Sequence, residues 1–195
     1  IAGFEEQFIL SDEIYHGLVY EGRAPSILEY TDRAFVINGF SKLYAMTGWR
    51  LGYLIFPKGF SRTMERLHQN FAISANSFVQ IAGLAALRHA GPDVEAMRST
   101  YNERRVYMIR RLREMGFRIH VEPTGAFYVF ADARDFCDDS YREAFTILEK
   151  VKVGVTPGVD FGSGGEGFIR FSYANSLENI REGLDRVESY LRERR

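Results

Sequence analysis

Lys42 and Arg50 lie eight residues apart in the stretch NGFSKLYAMTGWRLGY, residues 38–53, among glycine, serine and threonine. A lysine amine can capture a carbonyl carbon as a Schiff base or act as a base, and the planar arginine fork suits phosphate. The small residues around them let a bulky ligand approach the backbone. The apolar run Ala34-Phe35-Val36-Ile37 just upstream reads as a buried strand, which places Lys42 in the turn at its carboxyl end. A second run, Gln7 to Leu10, reads as another buried strand, and Asp12 follows it. Ligands of open α/β sheets bind beyond the carboxyl ends of the strands. Amine, guanidinium and carboxylate would therefore gather on one rim. Such a set suits a phosphorylated aldehyde such as pyridoxal phosphate: lysine for the imine, arginine for the phosphate, an acid for the ring nitrogen.

The elements that must position these groups follow from the pattern. Gly52 to Phe56, ended by Pro57, is expected to return as a strand antiparallel to the one before Lys42. Helices dominate the middle of the chain. Val94, Met97, Tyr101, Met108, Leu112 and Met115 mark one long helix starting near Asp93. Leu177, Ile180, Leu184, Val187 and Leu191 mark a C-terminal one, with Asn175 and Glu178 as its capping pair. Between them, Phe117 to Val121, Gly125 to Phe130, Val151 to Val155 and Phe168 to Ser172 read as strands. The pattern predicts an α/β piece over residues 1–103 and a smaller α+β unit over residues 104–195, without internal repeats.

Composition narrows the function classes. The 195 residues carry a net charge of −1 with 46% apolar side chains, a balance that does not point to nucleic acid. The lone Cys137 excludes an intramolecular disulfide and fits a reducing, cytoplasmic setting. No apolar run approaches the ~18 residues a membrane helix needs. Ile1, Phe4 and Phe8 fall at helical spacing with no initial methionine, the pattern of a helix tail in a fragment of a longer chain.

Other motifs carry less. GSGGEG, Gly162 to Gly167, matches a dinucleotide fingerprint in letters, yet it precedes a predicted strand rather than a helix, so a mobile loop is expected. The arginines from Arg104 to Arg118 alternate with apolar residues and acids, as on a solvated helix face. Asp132, Asp135, Asp138 and Asp139 lack calcium-loop spacing, and the four histidines are scattered, so no metal site is expected.

Gly39-Phe40-Ser41-Lys42 with Gly48-Trp49-Arg50-Leu51-Gly52 resembles the cofactor-attachment motif of class I aminotransferases, the fold-type I pyridoxal-phosphate enzymes. SDEIY, residues 11–15, PTGAFYVF, residues 123–130, and FIRFSYA, residues 168–174, resemble further landmarks of that family, in its order. The resemblance implies the C-terminal half of such an enzyme: the end of the large, mostly parallel cofactor-binding domain plus the small α+β domain. It implies pyridoxal 5'-phosphate as a Schiff base on Lys42, Asp12 at the ring nitrogen, Tyr15 at the ring oxygen and Arg50 at the phosphate. It also implies a homodimer with shared active sites, acting on an amino acid and a 2-oxo acid and closest to the aspartate aminotransferase branch. Arg170, flanked by Phe168, Ile169 and Phe171, is expected to grip the substrate carboxylate rather than to form a surface cross-strand ion pair. Many relatives carry a hydroxyl where this chain has Gly39, so a phosphate contact could shift to Ser41. The same frame serves lyases and decarboxylating synthases, and the aminotransferase-like sensing domains of transcription regulators. A fragment without activity of its own is the remaining alternative.

Overall fold

The computed structural model describes residues 7–194, and these fall into two compact units, the first ending at Arg98 and the second beginning at Ser99. The helical spacing of Ile1, Phe4 and Phe8 rests mainly on positions outside the described residues.

In the first unit, β1 (Ile9–Asp12), β2 (Ala34–Gly39) and β3 (Gly52–Ile55) form a sheet in that order. β1 runs parallel to β2, with Asp12 opposite Ile37, and β3 returns antiparallel, with Gly52 opposite Gly39. β2 buries Ala34 and Val36. The buried strand expected at Gln7 to Leu10 lies two residues later and is not buried: Leu10 is 68% exposed. β1 and β3 are the sheet's edges among the described residues, so each has a neighbour on one side only. Phe8, Phe35 and Phe60 meet edge to face, with centroids 5.0–5.9 Å apart, at the start of the parallel pair. Two helices, α1 (Ser61–Phe71) and α2 (Ser77–His89), follow. Gly83 of α2 packs against Leu51 and Phe40, on either side of the lysine turn.

Helix α3 (Gly91–Met115) contains the predicted apolar stripe, and Met108, Leu112 and Met115 are buried. In the second unit, β4 (Tyr128–Asp132), β6 (Phe168–Ser172) and the short β5 (Thr156–Pro157) form an antiparallel sheet in the order β4-β6-β5. Alternation sends Val129, Ala131, Ile169 and Phe171 to the buried face and leaves Tyr128, Phe130, Phe168 and Arg170 on the other. Helix α4 (Ser140–Val151) packs against β5, β6 and α5 (Leu177–Arg192).

Several expectations give way here. Phe117 to Val121 is not a strand and contributes a single bridge, Arg118 to Asp132, and the strand expected from Gly125 starts at Tyr128. Val151 ends α4 rather than opening a strand. Its β-branched neighbours mimic strand composition, but Ala144, Ile147 and Val151 make a helical stripe, and Lys152 closes it in the left-handed conformation. The arginine-rich stretch is only partly a solvated face. Arg105 is 5% exposed and donates to Asn102 Oδ1 and the Pro123 carbonyl, while Arg111 bridges to Asp185 and Glu188. GSGGEG contains a 3₁₀ turn over Ser163–Gly165 and leads into β6.

The aspartates have separate duties. Asp139 accepts from Arg142 N to cap α4, and the buried Asp132 takes Arg134, His120 and Arg118. Arg134 above all holds the Asp132 carboxyl well below the usual carboxylate range.

The cap of α5 also moves by one residue. Ser176, not Asn175, is the N-cap and accepts from Asn179 N at 3.1 Å, while Asn175 Oδ1 accepts from Ser176 N. Ser176→Ala should therefore cost about 1 kcal/mol, a fall of roughly 2–4 °C in melting temperature. A thermal melt with no shift would mean that Asn175 carries the cap.

Candidate active site

Parallel pairing brings two chain segments to one rim of the first sheet. β1 ends at Asp12 opposite Ile37, and Lys42 lies three residues beyond the end of β2. The segment after β1 turns immediately: Glu13 N donates to the Ile37 carbonyl at 2.8 Å, and Leu18 N to the Tyr15 carbonyl at 3.1 Å. Lys42 Nζ then stands 5.7 Å from the Tyr15 ring centroid, so the amine and the phenol belong to one site. Both side chains are half-buried.

Asp12, the last residue of β1, and Glu13, just beyond it, sit in different surroundings. Glu13 is 5% exposed, and its Oε1 accepts from Ile27 N at 2.9 Å, Ser26 Oγ at 3.0 Å and Ser11 Oγ at 3.2 Å. His16 Nδ1 sits 3.3 Å from its other oxygen. Glu13 thus ties the loop after β1 into place. Asp12 stays exposed, with Oδ1 accepting the local Ile14 N–H at 3.1 Å.

The lysine turn is closed by its own backbone. Ala45 N donates to the Lys42 carbonyl, Met46 N to the Phe40 carbonyl and Phe40 N to the Leu51 carbonyl. Thr47 links the two other expected groups: its hydroxyl donates to the Ser41 carbonyl at 3.1 Å, and its carbonyl accepts Arg50 Nη1 at 3.1 Å. Arg50 has φ +56°, a left-handed residue after the 3₁₀ turn Thr47–Trp49, and is exposed. It lines an open groove of about 430 Å³ together with Gly48, Asn76 and Phe78. Asp12, Tyr15, Ser41, Lys42 and Arg50 all stand on the first unit. Amine, carboxylate, phenol and guanidinium form the donor set that a phosphorylated pyridine aldehyde requires, and the set fits pyridoxal phosphate.

Arg170 belongs to the second unit, opposite Phe130 in the β4–β6 register. Its guanidinium carbon lies 4.2 Å from the Tyr128 ring centroid and 4.5 Å from that of Phe161. Its Nη2 donates to Thr156 Oγ1 at 3.3 Å. Among the described residues none of the ion pairs involves it, so a half-buried cation stands without a carboxylate.

The profile for aminotransferase class I and II matches residues 5–187. The chain belongs to the class I and II aminotransferase family. Among its relatives, the (5-formylfuran-3-yl)methyl phosphate transaminase of Methanocaldococcus jannaschii is 41% identical over 94% of this chain and 50% of its own length. The aspartate aminotransferase of Pyrococcus horikoshii is 42% identical over 94% of this chain and 48% of its own. The crystal structure of an aromatic aminotransferase from Pyrococcus horikoshii superposes with a TM-score of 0.91, at 38% identity, over 96% of this chain and 51% of that one. The chain thus spans about half the length of the aminotransferases it matches.

Glu13, Thr47, Tyr128 and Phe161 act in this geometry without having been singled out in the sequence. They act through contacts that spacing alone does not reveal. Gly39, where the resemblance led to the expectation of a hydroxyl, sits in a tight place. A Cβ there would lie 2.9 Å from the Leu51 carbonyl oxygen and 3.0 Å from Gly52 Cα, both backbone atoms. Gly39→Ser, a substitution meant to restore the hydroxyl, should instead destabilise the fold by about 1–3 kcal/mol. A variant that melts no lower than the parent would show that β2 and β3 can separate to admit a side chain.

Proposed function

We propose that this chain is the C-terminal half of a pyridoxal 5'-phosphate-dependent aminotransferase. The enzyme would move the amino group of an amino acid to a 2-oxo acid, working as a cytoplasmic homodimer with shared active sites. The observation that carries the reading is the meeting of Lys42 and Tyr15 on the rim that Asp12 also occupies, in a chain of the class I and II family. Aspartate is our preferred donor class, supported by relatives named aspartate aminotransferase.

Bound pyridoxal phosphate supplies an aldehyde that amines capture and a protonated ring that takes up electron density. Lys42 Nζ would hold the aldehyde carbon. As a free amine it would be the base that removes the substrate Cα proton. Asp12 would hold a proton at the ring nitrogen, Tyr15 would donate to the ring oxygen, and Arg50, with Ser41, would hold the phosphate. Arg170 would take the substrate α-carboxylate in two parallel hydrogen bonds and so orient the Cα–H bond toward the base.

Borohydride reduction of the full-length holoenzyme should fix a pyridoxyl group on the peptide that contains Lys42. Label on any other peptide would refute the assignment. Arg170 is tested by kinetics. Each charge-assisted bond is worth ~1.5–3 kcal/mol, so Arg170→Ala should lower kcat/KM for amino acids by about 100-fold or more. Arg170→Lys, which keeps the charge and loses the fork, should fall between. Simple amines without a carboxylate should react at the parental rate in both variants; equal losses for amines and amino acids would make Arg170 a structural residue.

A further inference from the structure

We infer that Tyr128 and Phe161 are positioning residues for Arg170, holding its guanidinium by contact with two aromatic rings and leaving its N–H edge to a carboxylate. The inference rests on the reading of Arg170 as the group that takes the substrate α-carboxylate.

A long arginine side chain must be held still if it is to present a fork, and proteins commonly do this with an acid. An aspartate or glutamate beside Arg170 would occupy the same N–H donors that the substrate needs. The structure uses rings instead, at 4.2 and 4.5 Å from the guanidinium carbon. An aromatic face attracts the cation through its quadrupole and consumes none of the five N–H donors. Among the described residues only Thr156 takes one, in a long 3.3 Å contact. A cation so held is ordered before the ligand arrives, which reduces the entropy lost on binding.

Both rings are themselves placed by the fold. Tyr128 shares a face of β4 with Phe130, the register partner of Arg170, and is therefore its diagonal cross-strand neighbour. Phe161 ends the 3₁₀ turn Gly158–Phe161 and meets Phe130 edge-on at 5.9 Å and 90°. The base of that turn is tight, because a Cβ on Gly158 would fall 2.0 Å from the Gly165 carbonyl oxygen. Yet Phe161 remains 51% exposed. A phenylalanine half in water adds little to the core, and the contact with Arg170 gives it a task.

The test uses the full-length holoenzyme and its half-reaction with an amino acid. In Phe161→Leu and in Tyr128→Leu the half-saturating amino acid concentration should rise about tenfold for each ring lost. The rate at saturation should stay within about twofold, because the fork survives and only its order is lost. Phe161→Tyr and Tyr128→Phe keep the rings and should restore parental half-saturation, which a role in packing alone would not predict for both positions. Arg170→Ala, run alongside, separates the two ideas. If it weakens amino acid use while neither leucine variant does, the positioning role is wrong and the carboxylate role of Arg170 stands. If Arg170→Ala changes nothing, the carboxylate reading fails and the positioning role with it. Failure of the ring-retaining variants to rescue would also overturn the inference, as would a lowered melting temperature that accounts for the loss.

Discussion

The parallel pairing of β1 with β2 is the constraint on which the candidate site depends. Two segments that are neighbours in a parallel sheet must leave it on the same side, so the residues after Asp12 and after Gly39 share a rim whatever loops follow. An antiparallel pair would have sent Asp12 and Lys42 to opposite ends. The register then sets the distance scale: Asp12 stands opposite Ile37, and the two chains turn within a few residues of each other. That is how a phenol from one loop comes to lie 5.7 Å from an amine in the other.

Rigidity on the rim comes from groups that do no chemistry. Glu13 gathers three donors and a histidine around one buried carboxylate, so the loop from β1 is held by charge-assisted hydrogen bonds rather than by apolar packing. On the facing turn the work is shared by backbone bonds and by Thr47, whose two ends touch Ser41 and Arg50. The rule is the same in the second unit, where tyrosine and phenylalanine rings hold Arg170. In the second unit the holding groups leave the donors of the held arginine available.

The sequence made legible whatever depends on periodicity. β2, β3, β6, α3 and α5 follow from apolar runs or from steps of three and four. Where composition and period disagreed, composition misled: the valines from Val151 to Val155 suggested a strand, while the helical stripe ending at Val151 decided the outcome. α4 itself was hidden behind an acidic run whose last member, Asp139, turned out to be its cap. Lys42, Asp12 and Arg50 could be picked by residue type and position. Thr47, Tyr128 and Phe161 could not, because their significance lies in which atoms they meet across turns and strands, and a one-dimensional pattern does not contain those meetings.

Backbone conformation adds a separate line of argument about Arg50. A left-handed conformation costs an L-residue about 1 kcal/mol, which glycine avoids and asparagine tolerates. The lysine turn nevertheless holds two non-glycine residues there, Ala45 at φ +52° and Arg50 at φ +56°. Glycine at position 50 would relieve the strain and keep the bend. It would also remove the guanidinium and its bond to the Thr47 carbonyl, which is itself a weak reason to accept strain on an exposed residue. The cost is better matched by a need for positive charge at that point of the rim, beside the groove lined by Gly48 and Asn76. Strain of this kind at an exposed arginine is in keeping with the phosphate role proposed for Arg50, since the arginine fork suits that anion.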